Sequence, residues 1–290
     1  MPAATLSDVL QPALRDGYAV AGLVVLGWED VVAFVRAAEA LDAPVILQAG
    51  PGCRKHTPIA VLGTMFRTLA DQASVPVVCH VDHGFTLDEC VAGIEYGFTS
   101  VMYDGSKRPL AENIETTARI VEIARAAGVS VEGEVGVVGY SGGGQSYGTE
   151  ADEAARFDAE TGVDALAISV GNVHLVEDSS SVIDWDRLRA IEAVTRSPLV
   201  LHGGSGLTAG TRAELARTSR VCKFNIGTEL RMTFGAALRE TLADHPELFD
   251  RIAILDRTMA PMEATARQVI ANLLPAHWPV ENPAGGAPGG

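Results

Sequence analysis

The chain has 290 residues, 47% of them hydrophobic and 20% charged, an ordinary globular composition long enough to bury a large core. A formal net charge of -15 argues against nucleic acid or an anionic membrane surface as a partner. Cys53, Cys79, Cys90 and Cys222 form no C-x-x-C pair and read as reduced thiols, while Met1 to Asp16 lacks the basic start and apolar run of a signal peptide, so a cytoplasmic protein is expected.

Short apolar, β-branched runs then alternate with longer segments of helical period. Ala19–Leu26 is followed by the amphipathic Glu29–Leu41, Pro44–Gln48 by Ile59–Gln72, Pro76–Val81 by Leu87–Tyr96, and Thr99–Tyr103 by Leu110–Ala127. The second half keeps the rhythm. Ser130–Glu134 leads to Ala151–Thr161, Ala165–Val170 to Trp185–Val194, Pro198–Leu201 to Ala209–Thr218, and Val221–Ile226 to the helical Gly227–Ala243. Strands apolar on both faces and separated by helices predict a parallel sheet with right-handed crossovers. Eight repeats favour closure into an α/β TIM (β/α)8 barrel over residues 1–274, with a further helix near Met262–Leu274. A doubly wound open sheet is the alternative architecture. Val135–Gly148 is glycine-rich and too loose for a packed connection, so it reads as a lid. The Pro/Gly-rich 275–290 reads as a disordered tail.

Polar residues collect where the strands end. Gln48, Asp82 with His83, Asp104, Glu134, His174, His202 and Asn225 all sit at or just past the carboxyl end of a predicted strand, and in a barrel those ends form one rim. His83, His174 and His202 come from three different strand ends, and three neutral imidazoles plus an open position make a catalytic zinc-type site. His80 precedes Asp82 by two residues, on the same strand face, and reads as a buried supporting residue. Asp82 stands beside a proposed ligand, either to move protons or to orient that ligand. Glu134 reads as a second metal ligand or as an ordinary buried carboxylate. The glycine-rich His202–Gly206 loop and the Asn225–Thr228 turn follow the last two strands. They suggest a phosphate cradle, with simple turn glycines as the plainer alternative.

These residues fall into motifs: H-V-D-H-G (His80–Gly84), S-V-M-Y-D-G-S (Ser100–Ser106), V-E-G-E-V-G (Val131–Gly136), H-G-G-S-G (His202–Gly206) and N-I-G-T-E (Asn225–Glu229). On these motifs the chain resembles the class II fructose-bisphosphate and tagatose-bisphosphate aldolases from about Leu6 to Leu274. The resemblance implies one Zn2+ on His83, His174 and His202, with Glu134 at a secondary metal position and Asp82 exchanging a proton with the aldehyde oxygen. It also implies phosphate on Gly203, Ser205, Asn225 and Thr228, a zinc-stabilised enediolate, an assisting monovalent cation, and a homodimer or homotetramer.

Several positions depart from the family pattern. The family carries Gly and then a Lys after the second zinc histidine, whereas this chain reads His174-Leu175-Val176-Glu177-Asp178. Leu23-Val24 stands where the family has F-N, and the segment Gln48–Lys55 lacks the usual serine. Between Glu134 and Glu150 no carboxylate occurs, only Tyr140 and Tyr147 among titratable side chains, so the proton-abstracting base stays open between a lid tyrosine, Asp82 and water. The expectation is therefore an aldolase acting on a non-standard carbonyl or sugar-phosphate substrate, with Arg54 or Lys107 as replacement anion contacts. A standard sugar-bisphosphate aldolase is the alternative, and a non-catalytic zinc-binding subunit the second.

Overall fold

The computed structural model describes residues 3–140, 146–178 and 180–278. Its barrel strands are β1 (Val20–Val24), β2 (Val45–Ala49), β3 (Val77–Gly84), β4 (Ser100–Tyr103), β5 (Ser130–Val135), β7 (Ala165–Ile168), β9 (Leu199–Leu201) and β10 (Val221–Ile226). β6 (Gly139–Tyr140) and β8 (Val173–His174) make a separate two-stranded sheet. The eight strands close in the order β1-β10-β9-β7-β5-β4-β3-β2, every pairing parallel, so the barrel holds and the open sheet is excluded. Closure follows from β1 pairing with β10, Val20 opposite Lys223 and Leu23 opposite Ile226.

Crossover helices cover the sheet: α2 (Trp28–Glu39), α4 (Ile59–Ala70), α5 (Leu87–Glu95), α6 (Leu110–Ala126), α7 (Ala151–Thr161), α8 (Trp185–Glu192), α9 (Ala209–Thr218) and α10 (Thr228–Asp244). Their boundaries lie within a few residues of the expected ones, because each buries an apolar stripe against strands that are themselves buried on both faces. Three helices fall outside that scheme.

α1 (Leu6–Asp16) lies across the amino-terminal end of the barrel and buries Leu6, Val9, Leu10 and Ala13, spaced as one helix face. Thr5 starts it with a capping box to Asp8, and Gly17 ends it in the left-handed region at φ 70°. Ser7 ties it to the barrel, donating to Asp164 Oδ1 at 2.6 Å. Short α3 (Pro51–His56) follows β2 at the opposite end. α11 (Arg251–Leu273) packs on α2 and α10 and runs eleven residues further toward the amino terminus than Met262, with Pro261 inside it. Of the expected tail, residues 279–290 lie outside the described residues. Of its first four positions Trp278 is packed on the barrel: it donates to Leu41 O at 2.9 Å and meets Tyr18 edge-on at 5.2 Å. Among the described residues no helix is long and apolar enough to cross a membrane.

Candidate metal centre and anion pocket

Adjacent residues of a regular strand point to opposite sheet faces, so Asp82 and His83 should not share a site. A bulge brings them together. Val81 pairs with Val101, but the next pair is Gly84 with Tyr103, so one extra β3 residue is accommodated where His83 takes φ 52°. A positive φ at a non-glycine residue is strained and needs support. Arg54 on α3 supplies it, donating to Asp82 O at 2.6 Å, to His83 O at 2.8 Å and to Ala49 O, beside Glu89 at 3.7 Å. The expected use of Arg54 as a substrate anion contact is therefore corrected: its guanidinium is buried and engaged with backbone carbonyls.

His83, His174 and His202 converge at the rim. Each offers one ring nitrogen within 4.8 Å of the others, and the ring centroids lie 4.6 to 5.7 Å apart. His83 Nδ1 is 2.9 Å from Asp104 Oδ2, which leaves Nε2 for another partner. His202 Nε2 is 3.0 Å from Glu132 Oε1, which leaves Nδ1. That Nδ1 is buried and has no hydrogen-bond partner, and neither has Glu134 Oε2, 3.7 Å from it and 3.7 Å from His83 Nδ1. Buried polar atoms left unsatisfied are costly. Two such atoms facing one another among three imidazoles fit a divalent cation of the zinc type. His83, Asp104 and Glu134 form a second, overlapping group that could hold a metal.

The electrostatics suit that cluster. Burial lowers His174 to a pKa of about 4, helped by the charge of His83, and lowers His202 well below its ordinary value. Both are thus neutral near pH 7, the form in which an imidazole can hold a metal. Burial would also lower His83, but Asp82, the hydrogen bond to Asp104 and Glu134 together raise it to about 9. Burial alone would raise Asp82, but the charges around it, His83 foremost, together outweigh burial and hold the carboxyl below its ordinary value. Glu134 is pushed well above the carboxylate range by burial, then by Asp104. Asp104 is held low, since the His83 hydrogen bond and charge outweigh its burial.

A cavity of about 270 Å3 opens beside the histidines, lined by Asp82, His83, His174, Gly203, Ser205, Asn225, Thr228, Val24, Leu26 and Arg231 among others. The two glycine-rich loops meet here as expected. Gly203 sits at φ 65°, and a Cβ there would stand 2.2 Å from Val173 O, so only glycine lets this loop press against the strand bearing His174. Ser205 Oγ lies 3.3 Å from Gly227 N and 3.4 Å from Glu229 N, at the start of the seventeen-residue α10. Asn225 lines the same cavity, with its side-chain amide held from the barrel interior. Its Nδ2 donates to Asp82 Oδ1 at 2.9 Å and its Oδ1 accepts from Lys223 at 2.7 Å, so its amide is engaged inside the barrel.

Lys107 and Tyr147 are not in this cavity. They line another, of about 490 Å3, with Arg108, Asn113 and Val137, and the two cavities share no lining residue. Of the expected lid, residues 141–145 and the side chain of Tyr140 lie outside the described residues. The backbone of Gly139–Tyr140 pairs with Val173–His174, tying the lid base to a histidine strand. Arg231 was absent from the expected set. Its position three residues after Thr228 on the same helix was the available signal.

With that geometry in view, the relatives are informative. Residues 4–276 match the family described as fructose-bisphosphate aldolase class-II. The 6-phospho-5-dehydro-2-deoxy-D-gluconate aldolase of Shouchella clausii is 34% identical over 275 residues, 91% of this chain and 92% of that one. The fructose-bisphosphate aldolase of Geobacillus stearothermophilus is 34% identical over 273 residues, 91% of this chain and 94% of that one. The crystal structure of the YdjI aldolase from Escherichia coli K12 superimposes with a TM-score of 0.83 at 27% identity, over 94% of this chain and 97% of that one.

Proposed function

Since the chain belongs to the class II fructose-bisphosphate aldolase family, an enzyme family of carbon–carbon lyases, we propose that it is a zinc-dependent aldolase for an anionic carbonyl substrate other than a standard sugar bisphosphate. One observation carries this reading: the unpartnered His202 Nδ1 and Glu134 Oε2 face each other at the rim that also holds Asp82 and the two glycine-rich loops. His83, His174 and His202 would hold the ion, with Glu134 at a secondary position. Bound there, zinc supplies Lewis acidity that polarises a carbonyl.

The remaining steps belong to the chain. Asp82, kept ionised and oriented by Asn225, lies 4.0 Å from His83 Nε2 and faces the cavity. In cleavage it takes the proton of the substrate hydroxyl, and in condensation it returns that proton to the aldehyde oxygen. Gly203, Ser205 and Thr228 receive an anionic group at the start of α10. Arg231 lines the same cavity and takes the anion-binding part first assigned to Arg54 and Lys107. The substrate is set apart from a standard one by Val24 and Leu26 on the wall and by the absence of a Lys in the run His174-Leu175-Val176-Glu177-Asp178. The two relatives at 34% identity carry different substrate names, so identity alone favours neither. In the same reading the chain is a homodimer or homotetramer, with exposed Phe249 and Ile252 as apolar surface for contact.

The test is cleavage by zinc-loaded protein of a panel containing fructose 1,6-bisphosphate, tagatose 1,6-bisphosphate and 6-phospho-5-dehydro-2-deoxy-D-gluconate, with His202→Ala as control. Cleavage of the phosphorylated sugar acid far above both bisphosphates, lost in the control, supports the proposal. Equal or faster cleavage of a bisphosphate makes the enzyme a standard member and the pocket changes incidental.

A further inference from the structure

The interior of a (β/α)8 barrel is ordinarily filled by branched apolar side chains. Directly beneath the histidines this one holds a Glu–Lys pair with both side chains fully buried: Lys223 on β10 and Glu132 on β5, 2.8 Å apart. Withdrawing two ions from water costs several kcal/mol each, and well-packed apolar residues are often at least as stabilising. Stability is therefore a poor reason for the pair, and its contacts offer a better one.

Glu132 divides its two oxygens. Oε1 lies 3.0 Å from His202 Nε2, while Oε2 accepts from Lys223 and lies 3.6 Å from His80 Nε2. A carboxylate only accepts, so His202 must carry its proton on Nε2, and the lone pair of Nδ1 is thereby turned toward Glu134 and His83. Lys223 has three donor protons and three acceptors: Glu132 Oε2, Asn225 Oδ1 at 2.7 Å and, with its amide oxygen turned toward the ammonium, Gln48 Oε1 at 3.1 Å. Because Asn225 Oδ1 faces the lysine, its Nδ2 must face Asp82 Oδ1, at 2.9 Å. One continuous chain, His202–Glu132–Lys223–Asn225–Asp82, thus crosses the barrel from a histidine of the metal site to the proton-transferring carboxylate.

We propose that Glu132 and Lys223 are a positioning pair that fixes the His202 tautomer at one end and the Asp82 orientation at the other. Neither touches substrate. The inference rests on the reading of His83, His174 and His202 as metal ligands.

Three forms of the full chain test it: Glu132→Met, which leaves His202 Nε2 no acceptor at this position, Lys223→Met and the double variant. Removing the carboxylate alone strands a buried ammonium and can prevent folding. The double variant carries neither charge and keeps the volumes, so it should fold. Zinc affinity is read by competition with a chelator, alongside the melting temperature of the metal-free protein. The double variant should melt near the native temperature yet bind zinc about 10- to 100-fold more weakly, the usual effect of losing a partner behind a ligand histidine. Lys223→Met, which keeps Glu132 on His202, should hold zinc at close to native affinity. On whichever substrate of the panel turns over, it should lower kcat and not KM.

Native zinc affinity in a folded double variant would overturn the proposal. If the double variant does not fold, the native protein decides. Nitrogen-15 spectra of histidine-labelled, metal-free protein should show His202 protonated on Nε2 alone, and a proton on Nδ1 would overturn the pair's role. The zinc and nitrogen-15 readouts need no substrate, so an inactive panel would count against the proposed function and not against this pair.

Discussion

Zinc affinity at the three-histidine site should depend steeply on pH, because His83 must lose a proton to become a ligand. Burial alone would make that easy, but Asp82, Asp104 and Glu134 hold its pKa at about 9. A metal ion takes only the neutral imidazole. At pH 7 the proton is thus about two units from leaving freely, which weakens apparent binding roughly 100-fold, or ~2.7 kcal/mol. Apparent affinity should climb by up to about tenfold per pH unit from pH 7 and flatten above the His83 pKa of about 9. Chelator competition across that range measures the slope, and calorimetry in buffers of different ionisation enthalpy counts the protons released. Asp104→Asn keeps an acceptor on His83 Nδ1 but removes the charge, so the His83 pKa falls and the plateau starts at lower pH. Without metal the same group drives stability the other way. Its folded pKa is raised above the unfolded value of 6.5, so its contribution is complete below pH 6.5 and is lost as pH rises through about 9. Zinc affinity that stays flat between pH 7 and 9, or a profile unchanged by Asp104→Asn, would refute this reasoning.

Asp82→Asn should keep zinc and KM while lowering kcat by about 10²- to 10⁴-fold, the usual worth of a positioned acid–base group. Zinc content assayed alongside kinetics checks this, and loss of metal would reassign Asp82 to orienting a ligand. Arg231→Ala should raise KM for an anionic substrate by about 10- to 100-fold, from the ~1.5–3 kcal/mol of a charged hydrogen bond. Steady-state kinetics at two salt concentrations would show it, and an unchanged KM would remove Arg231 from the pocket chemistry. Gly203→Ala, forced to φ 65° and against Val173 O, should lose about 1–3 kcal/mol. Gly210→Ala, whose Cβ would meet nothing closer than 3.7 Å, serves as the control in thermal denaturation, and equal melting temperatures would contradict the close-contact argument. Phe249→Glu with Ile252→Glu should shift the protein to a smaller species in sedimentation, and an unchanged mass would place any subunit contact elsewhere.

The barrel was legible because its signal is redundant: eight apolar runs, each followed by a helical period, leave few topologies. α1 carried its signal too, in Leu6, Val9, Leu10, Ala13 and the Thr5 cap, but with no preceding strand the repeat rhythm did not point to it. The first half of α11 was hidden by Pro261, which normally argues for a helix end. At the site, residue types and strand ends brought His83, His174 and His202 to one rim. The β3 bulge that aims Asp82 and His83 together was not legible, since a one-residue slip depends on pairing with β4 and not on local sequence. Arg54 misled for a related reason: a cation after a strand reads as exposed, whereas it braces the bulge carbonyls. The strand pattern did not mark Lys223 as part of the site. Its place in the otherwise buried Val221–Ile226 run, and Glu132 two residues before Glu134 on the same face, were the available hints.

The most direct test of the metal centre is an anomalous difference map at the zinc edge from crystals of the zinc-loaded protein. The account predicts a peak bounded by His83, His174 and His202, with His202 Nδ1 turned to it and Asp82 beside it. A peak held by other residues, or no peak from protein shown to contain zinc in solution, would contradict it.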